Sequence, residues 1–180
     1  MKYTILALLI TFTLALRAES IVDVNNKVLK KEIRKYFPDY QYTLDEISLP
    51  DNVSVTGKYF YVNSPKTNPD LKYMYVGRVF TVRGSSKNDH SPDNSSEFFD
   101  YFILYDAQQV IKSVRIYRYQ ATHGEGVNAS GWLRQFVGYS AQKRLEVGRD
   151  VDAISGATLS VNNITLDIQS KTRILQQITQ

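Results

Sequence analysis

A chain of 180 residues, 43% of them hydrophobic, has the size of one ordinary domain with a core of its own. The absence of cysteine excludes disulfides, thiolate metal centres, iron–sulfur clusters and thioether-linked haem, so any redox chemistry needs a cofactor held in another way. A formal charge of +4, from 22 basic and 18 acidic residues, is not the signature of a polyanion-binding protein.

Lys2, the apolar run Ile5 to Leu16, then Arg17 and the small Ala18 have the layout of a secretory signal peptide. We therefore expect residues 1–18 to be a leader cleaved after Ala18, residues 19–180 to form a single domain, and the protein to be periplasmic or otherwise exported. The run is short against the roughly twenty residues a bilayer-spanning helix needs, which argues against a retained membrane anchor. Without a cysteine after the run, lipid anchoring is not expected either. Loss of Lys2 and Arg17 with the leader would lower the formal charge to +2.

Ile21 to Phe37 reads as an amphipathic helix with Val24, Val28 and Ile33 near helical spacing, and Pro38 stops it. Lys27, Lys30, Lys31, Arg34 and Lys35 form a basic cluster, read as a solvated face. Val53 to Val62 and Lys72 to Arg83, rich in Val, Tyr and Phe, read as antiparallel strands joined by the turn-forming stretch 63–70. Gly84 to Ser96 is polar and reads as a surface loop. Phe98 to Leu104 and Val110 to Tyr119 form a second hairpin around Asp106 to Gln109. The tyrosines Tyr101, Tyr105, Tyr117 and Tyr119 are expected to pack on the pleated surface.

Thr122 to Gly131 carries three glycines without apolar periodicity and reads as a functional loop. Ser130 can cap a short helix through Trp132, Leu133, Phe136 and Val137, which Gly138 can end. From Leu159 to Gln180 a stripe of Val161, Ile164, Ile168, Leu175 and Ile178 predicts a core-facing terminal helix. Strands followed by helices, without regular alternation, give an α+β domain: an antiparallel sheet with N-terminal and C-terminal helices packed on it.

The chemistry is concentrated in Asp152-Ala153-Ile154-Ser155-Gly156-Ala157-Thr158, which leads into that terminal helix. The first turn of a helix leaves backbone N–H groups without partners and carries a partial positive charge, a combination that favours phosphate. Gly156 and Ala157 keep bulk out of the way, and Thr158 and Ser160 offer hydroxyls beside it. On local chemistry alone, Ser155 or Thr158 could simply cap the helix while Gly156 makes the turn.

The seven-residue segment resembles the flavinylation motif Asp-x-x-Ser/Thr-Gly-Ala-Thr of the FMN-binding domain family, which includes flavin-carrying components of the sodium-pumping NADH:quinone oxidoreductase and of the Rnf complex. The resemblance continues upstream in His123-Gly124-Glu125 and in Trp132-Leu133-Arg134-Gln135-Phe136-Val137-Gly138. Gly126-Val127-Asn128 departs from the family, where Thr-Pro-Gly is usual.

The resemblance implies FMN bound covalently as a phosphoester on Thr158, attached by a separate flavin transferase that uses FAD and magnesium. It implies amides around Gly156, Ala157 and Thr158 on the phosphate, with Asp152 and Ser155 shaping the acceptor loop or recognised by the transferase. His123, Glu125 and Trp132 are candidates for contact with the isoalloxazine, although Trp132 is better read as a residue of the small core. The implied function is an electron-transfer flavoprotein, a redox carrier more than a free-standing enzyme, whose donor and acceptor are unknown and could be membrane-bound. The competing readings are a periplasmic binding module that holds a phosphate-bearing ligand non-covalently, and an accessory envelope domain with no cofactor.

Overall fold

The computed structural model describes residues 22–39, 41–65, 70–81 and 97–180. The expected leader, residues 1–18, and the polar loop Gly84 to Ser96 lie outside the described residues. The described chain is α+β: helix α1 (Lys27–Ile33), strands β1 (Thr43–Ile47), β2 (Gly57–Asn63), β3 (Tyr73–Thr81), β4 (Glu97–Tyr105) and β5 (Ile111–Gln120), short helix α2 (Ser130–Leu133) and long helix α3 (Thr158–Ile178). The strands form one sheet in the order β1-β2-β3-β4-β5, every pair antiparallel. Among the described residues no helix is long and apolar enough to cross a membrane.

Successive side chains of a strand point to opposite faces, and here both faces are covered. Tyr59, Tyr75, Tyr101, Ile103 and Tyr105 join the core beneath α3, with Val161, Ile164, Ile168 and Leu175 of that helix. Phe60, Met74, Val76, Phe102 and Leu104 alternate with them and form a second core with Leu29, Ile33 and Phe37. This is why β4 reads as an almost unbroken apolar run instead of a clean alternation. Burial pushes the hydroxyls of Tyr59, Tyr75, Tyr101 and Tyr105 far above the ordinary phenol range, so they stay neutral, and those of Tyr59, Tyr101 and Tyr105 bond to α3.

These three hydroxyls help to fix α3 along the sheet. Tyr59 donates to the Lys171 carbonyl at 2.9 Å, Tyr101 donates to the Asp167 carboxylate, and Tyr105 and Thr172 lie 3.3 Å apart. The Gln169 amide exchanges two hydrogen bonds with the backbone of Leu145. Each neutral bond contributes about 1 kcal/mol net, and together they define a register that greasy contact alone would leave loose.

The first helix is shorter than its apolar pattern suggests, because Asn26 caps it by accepting from the Leu29 amide at 2.7 Å. Its buried stripe is Leu29, Ile33 and the following Phe37, whereas Val28 is exposed. Glu32, buried on the same helix, binds Lys35, Ser113 and Arg115; burial works to raise its pKa, but these partners outweigh it and hold the carboxyl below its usual range. Strand β1 has too little apolar patterning to stand out in the sequence, and β2 begins at Gly57, four residues later than the Val-rich stretch suggests.

Gly57 and Gly77 face each other across β2 and β3. A Cβ on Gly57 would lie 2.3 Å from the Val76 carbonyl oxygen and 2.6 Å from the Tyr75 hydroxyl, so the pair makes room for that buried ring. Replacing Gly57 with Ala should destabilise the fold by about 1–3 kcal/mol through overpacking, measured as a lower urea midpoint with an unchanged m-value; an unaltered midpoint would contradict the close approach.

Candidate functional site

Helix α3 begins at Thr158 with Ala157 as its N-cap, and no side chain supplies a cap hydrogen bond. Neither Ser155 nor Thr158 therefore plays the simple capping role. The first amide to enter the helical ladder is that of Val161, which donates to the Ala157 carbonyl at 2.9 Å. The amides of Thr158, Leu159 and Ser160 precede it and point out of the helix end, where the macrodipole is positive. Gly156, at φ +75°, turns the chain into this helix in the left-handed region that glycine tolerates, and a Cβ there would meet nothing within 4 Å.

The residues before the turn are held from the side by α2 and the 3-10 turn that follows it (Arg134–Phe136). The Trp132 indole donates to the Asp152 carbonyl at 2.9 Å, and the Gln135 carboxamide accepts from the Asp152 amide at 2.8 Å. Both backbone groups of Asp152 are thus fixed, while its side chain is exposed. Ser130 is the first residue of α2, and its expected capping role falls to the backbone of Ala129.

A cleft of about 340 Å³ opens at the start of α3, lined by Thr81, Glu97, His123, Gly156, Ala157, Thr158, Leu159 and Ser160. Of the residues singled out in the sequence, Thr158, Ala157, Gly156 and His123 meet in this cleft. Ser155, Asp152 and Glu125 lie outside its lining, and Trp132 is only 8% exposed and packs edge-on against Phe136. Thr158 is exposed, whereas Ser160 is only 4% exposed, its hydroxyl turned toward Gly124 and Tyr119.

Three lining residues do not stand out as site residues in the sequence. Thr81 and Glu97 are direct partners across β3 and β4, so the register of the sheet alone brings them together. Leu159, 58% exposed in the first turn of α3, gives the cleft an apolar lip. The Thr81 hydroxyl is buried, at 5% residue exposure, and has no hydrogen-bond partner among the described residues. An unsatisfied buried hydroxyl costs about 1–3 kcal/mol, and its place in the lining of the cleft leaves Thr81 able to bond a ligand or water there.

Across the cleft, Glu97 accepts from both the amide of Thr122, at 3.1 Å, and its hydroxyl. The Thr122 hydroxyl oxygen also lies 2.8 Å from Nδ1 of His123, and Tyr119 donates to the His123 carbonyl at 2.6 Å. Burial raises the Tyr119 pKa, and its ring stacks on Phe99 with centroids 5.8 Å apart. His123 is thereby anchored through both ring and backbone. Among the described residues the lining holds no lysine or arginine, and the start of α3 contributes a partial positive charge.

Residues 98–170 match the family model described as FMN-binding domain. Comparison with curated proteins and comparison with solved structures each gave no match. The matched segment runs from β4 through β5, α2 and the motif into α3, and it contains every lining residue except Thr81 and Glu97. That match supports a flavin-binding role for residues 98–170, with FMN as the cofactor. The cleft suits that cofactor on independent grounds: uncapped amides for a phosphate, a buried hydroxyl without a partner among the described residues, and an apolar lip.

The turn that precedes the motif is also charged. The Asp150 carboxylate accepts from the Glu146 amide and is flanked by Lys143 and Arg149, which together lower its pKa to about 2. Because the folded value is depressed, the contribution is full above the unfolded carboxyl range and is lost only as pH falls through about 2. In an NMR titration the Glu146 amide should hold its position from about pH 6 to 4 and move only toward about pH 2; a midpoint in the ordinary aspartate range would contradict this arrangement.

Proposed function

We propose that the protein is an exported electron-transfer flavoprotein carrying FMN as a phosphoester on Thr158. The observation that carries this reading is the exposed Thr158 hydroxyl at the first position of an uncapped 21-residue helix, at the mouth of the cleft. The ester phosphate would rest on the amides of Thr158, Leu159 and Ser160, where the helix macrodipole favours negative charge. The buried Ser160 hydroxyl is poorly reachable by a second enzyme, which favours Thr158 as acceptor.

Attachment would be made by a separate flavin transferase with FAD and magnesium. The Thr158 oxygen forms a bond to the FMN phosphorus, the bond from that phosphorus to the bridging oxygen of FAD breaks, AMP leaves, and the hydroxyl proton passes to a base of the transferase. In this chain Asp152 is exposed and Ser155 stands just before the turn, both available for recognition, while Trp132 and Gln135 hold the acceptor loop in shape.

When bound, the flavin supplies one- and two-electron chemistry, and the protein tunes it through the polarity and charge it places nearby. His123, Glu97 and Thr81 are polar groups of the cleft able to do so, and Leu159 limits water on one side. A tether suits a compartment without a flavin pool, and export is supported by the leader-like layout of residues 1–18. Donor and acceptor would be redox partners outside the cytoplasm, in or beside the membrane.

Protein produced together with a flavin transferase should keep yellow fluorescence on a denaturing gel and gain the mass of one FMN less one water. Peptide fragmentation should place the addition on Thr158, and Thr158→Val should abolish it while leaving the thermal midpoint of the unmodified protein within a few degrees. An addition on Ser160, or none with active transferase present, would overturn the assignment.

A further inference from the structure

Glu97, Thr122 and His123 form a hydrogen-bonded chain whose proton positions can be worked out from chemistry alone. The Thr122 hydroxyl has a single proton, and an ionised carboxylate accepts but cannot donate. That proton therefore goes to Glu97, which also binds the Thr122 amide and so fixes the residue on two sides. The hydroxyl oxygen is left with lone pairs only toward Nδ1 of His123, 2.8 Å away. A favourable contact at that distance requires a proton on Nδ1.

The neutral His123 ring then has its second nitrogen, Nε2, without a proton. Tyr119 holds the His123 backbone carbonyl at 2.6 Å and so fixes the main chain of the residue, while the contact of Nδ1 with Thr122 sets which nitrogen faces that hydroxyl. His123 lines the same cleft as Thr158, and the residues that define its tautomer come from the start of β4 and the segment after β5. Such an anchored ring is a specificity element, because the cleft presents a lone pair where a freely rotating histidine could offer either group.

We propose that Glu97 and Thr122 are positioning residues that set His123 as an Nδ1–H tautomer, so that Nε2 accepts a hydrogen bond from an N–H of the bound isoalloxazine. This rests on the flavin reading of the cleft and deepens it. The oxidised ring system already offers an N–H donor and the reduced one offers more, so an obligate acceptor facing a nitrogen that is protonated only on reduction favours the reduced form. A ligand presenting only carbonyl oxygens would meet lone pair against lone pair and be disfavoured.

The chain has two histidines, so a His90→Gln background leaves one ring to observe. Long-range 1H–15N spectra of the unmodified protein at about pH 9, where a model imidazole is neutral, should show His123 with its proton on Nδ1. Thr122→Val should lose that dominance, and Thr122→Ser, which restores the hydroxyl, should recover it; a merely structural role for Thr122 would not move the tautomer this way. After flavin attachment, Nε2 should shift in the direction of an accepted hydrogen bond, and the shift should shrink in the Thr122→Val protein.

An Nε2–H tautomer in the unmodified protein would overturn the relay and leave flavin attachment standing. A fixed Nδ1–H tautomer with Nε2 unmoved on attachment would overturn the contact with the ring. Failure of Thr158 to take up flavin, with the tautomer as stated, would sink the covalent reading while leaving the positioning by Glu97 and Thr122 in place.

Discussion

The placement of α3 across one face of the sheet is the constraint on which the site depends. Its N-terminal amides are useful only if they open into a cleft, and that requires the helix to stop and start at a fixed point along the strands. Apolar contact with the tyrosine-rich face supplies most of the adhesion, but such contact is non-directional. The polar pins supply the register: Tyr59 on Lys171, Tyr101 on Asp167, and Gln169 on Leu145. At the other end, the Asn163 side chain donates to the Phe80 carbonyl at 3.1 Å, tying the first turns of α3 to β3 beside Thr81.

With the helix fixed, the motif becomes an ordinary consequence of helix-end physics. The chain enters through a left-handed glycine, and an alanine stands at the cap position where serine, threonine or aspartate is commonest. An uncapped helix gives up about 1 kcal/mol relative to a capped one. That sacrifice makes sense if another group takes the amides, and an FMN phosphate is the group that the match to an FMN-binding domain over residues 98–170 points to. The buried hydroxyl of Thr81, unpartnered among the described residues, and the lone pair of His123 then give the cleft polar features beyond the helix end, contributed by separate strands and loops.

Much of this is legible in the sequence, and the reasons are physical. The terminal helix is readable because Val161, Ile164, Ile168 and Leu175 keep a 3.6-residue period, and the four long strands because β-branched and aromatic residues cluster in them. The acceptor segment stands out because Ser-Gly-Ala-Thr before an apolar helix is a compact local pattern. Strand β1 escapes notice since an edge strand reading Thr-Leu-Asp-Glu-Ile carries little alternation, and the start of α1 is displaced since the Asn26 cap overrides a weaker valine spacing.

Thr81, Glu97 and Thr122 are invisible as site residues for a different reason. Their proximity follows from the pairing of β3 with β4 and from the path of the chain after β5, which no local spacing encodes. Trp132, a candidate for the ring but better read from the sequence as core, sits in the core and also grips the Asp152 backbone, a contact visible only once α2 is packed. The most direct test of the whole account is an amide 1H–15N comparison of the protein with and without attached FMN. Large downfield proton shifts at Thr158, Leu159 and Ser160 would place the phosphate on the end of α3. Unmoved resonances at those three positions in fully loaded protein would contradict it.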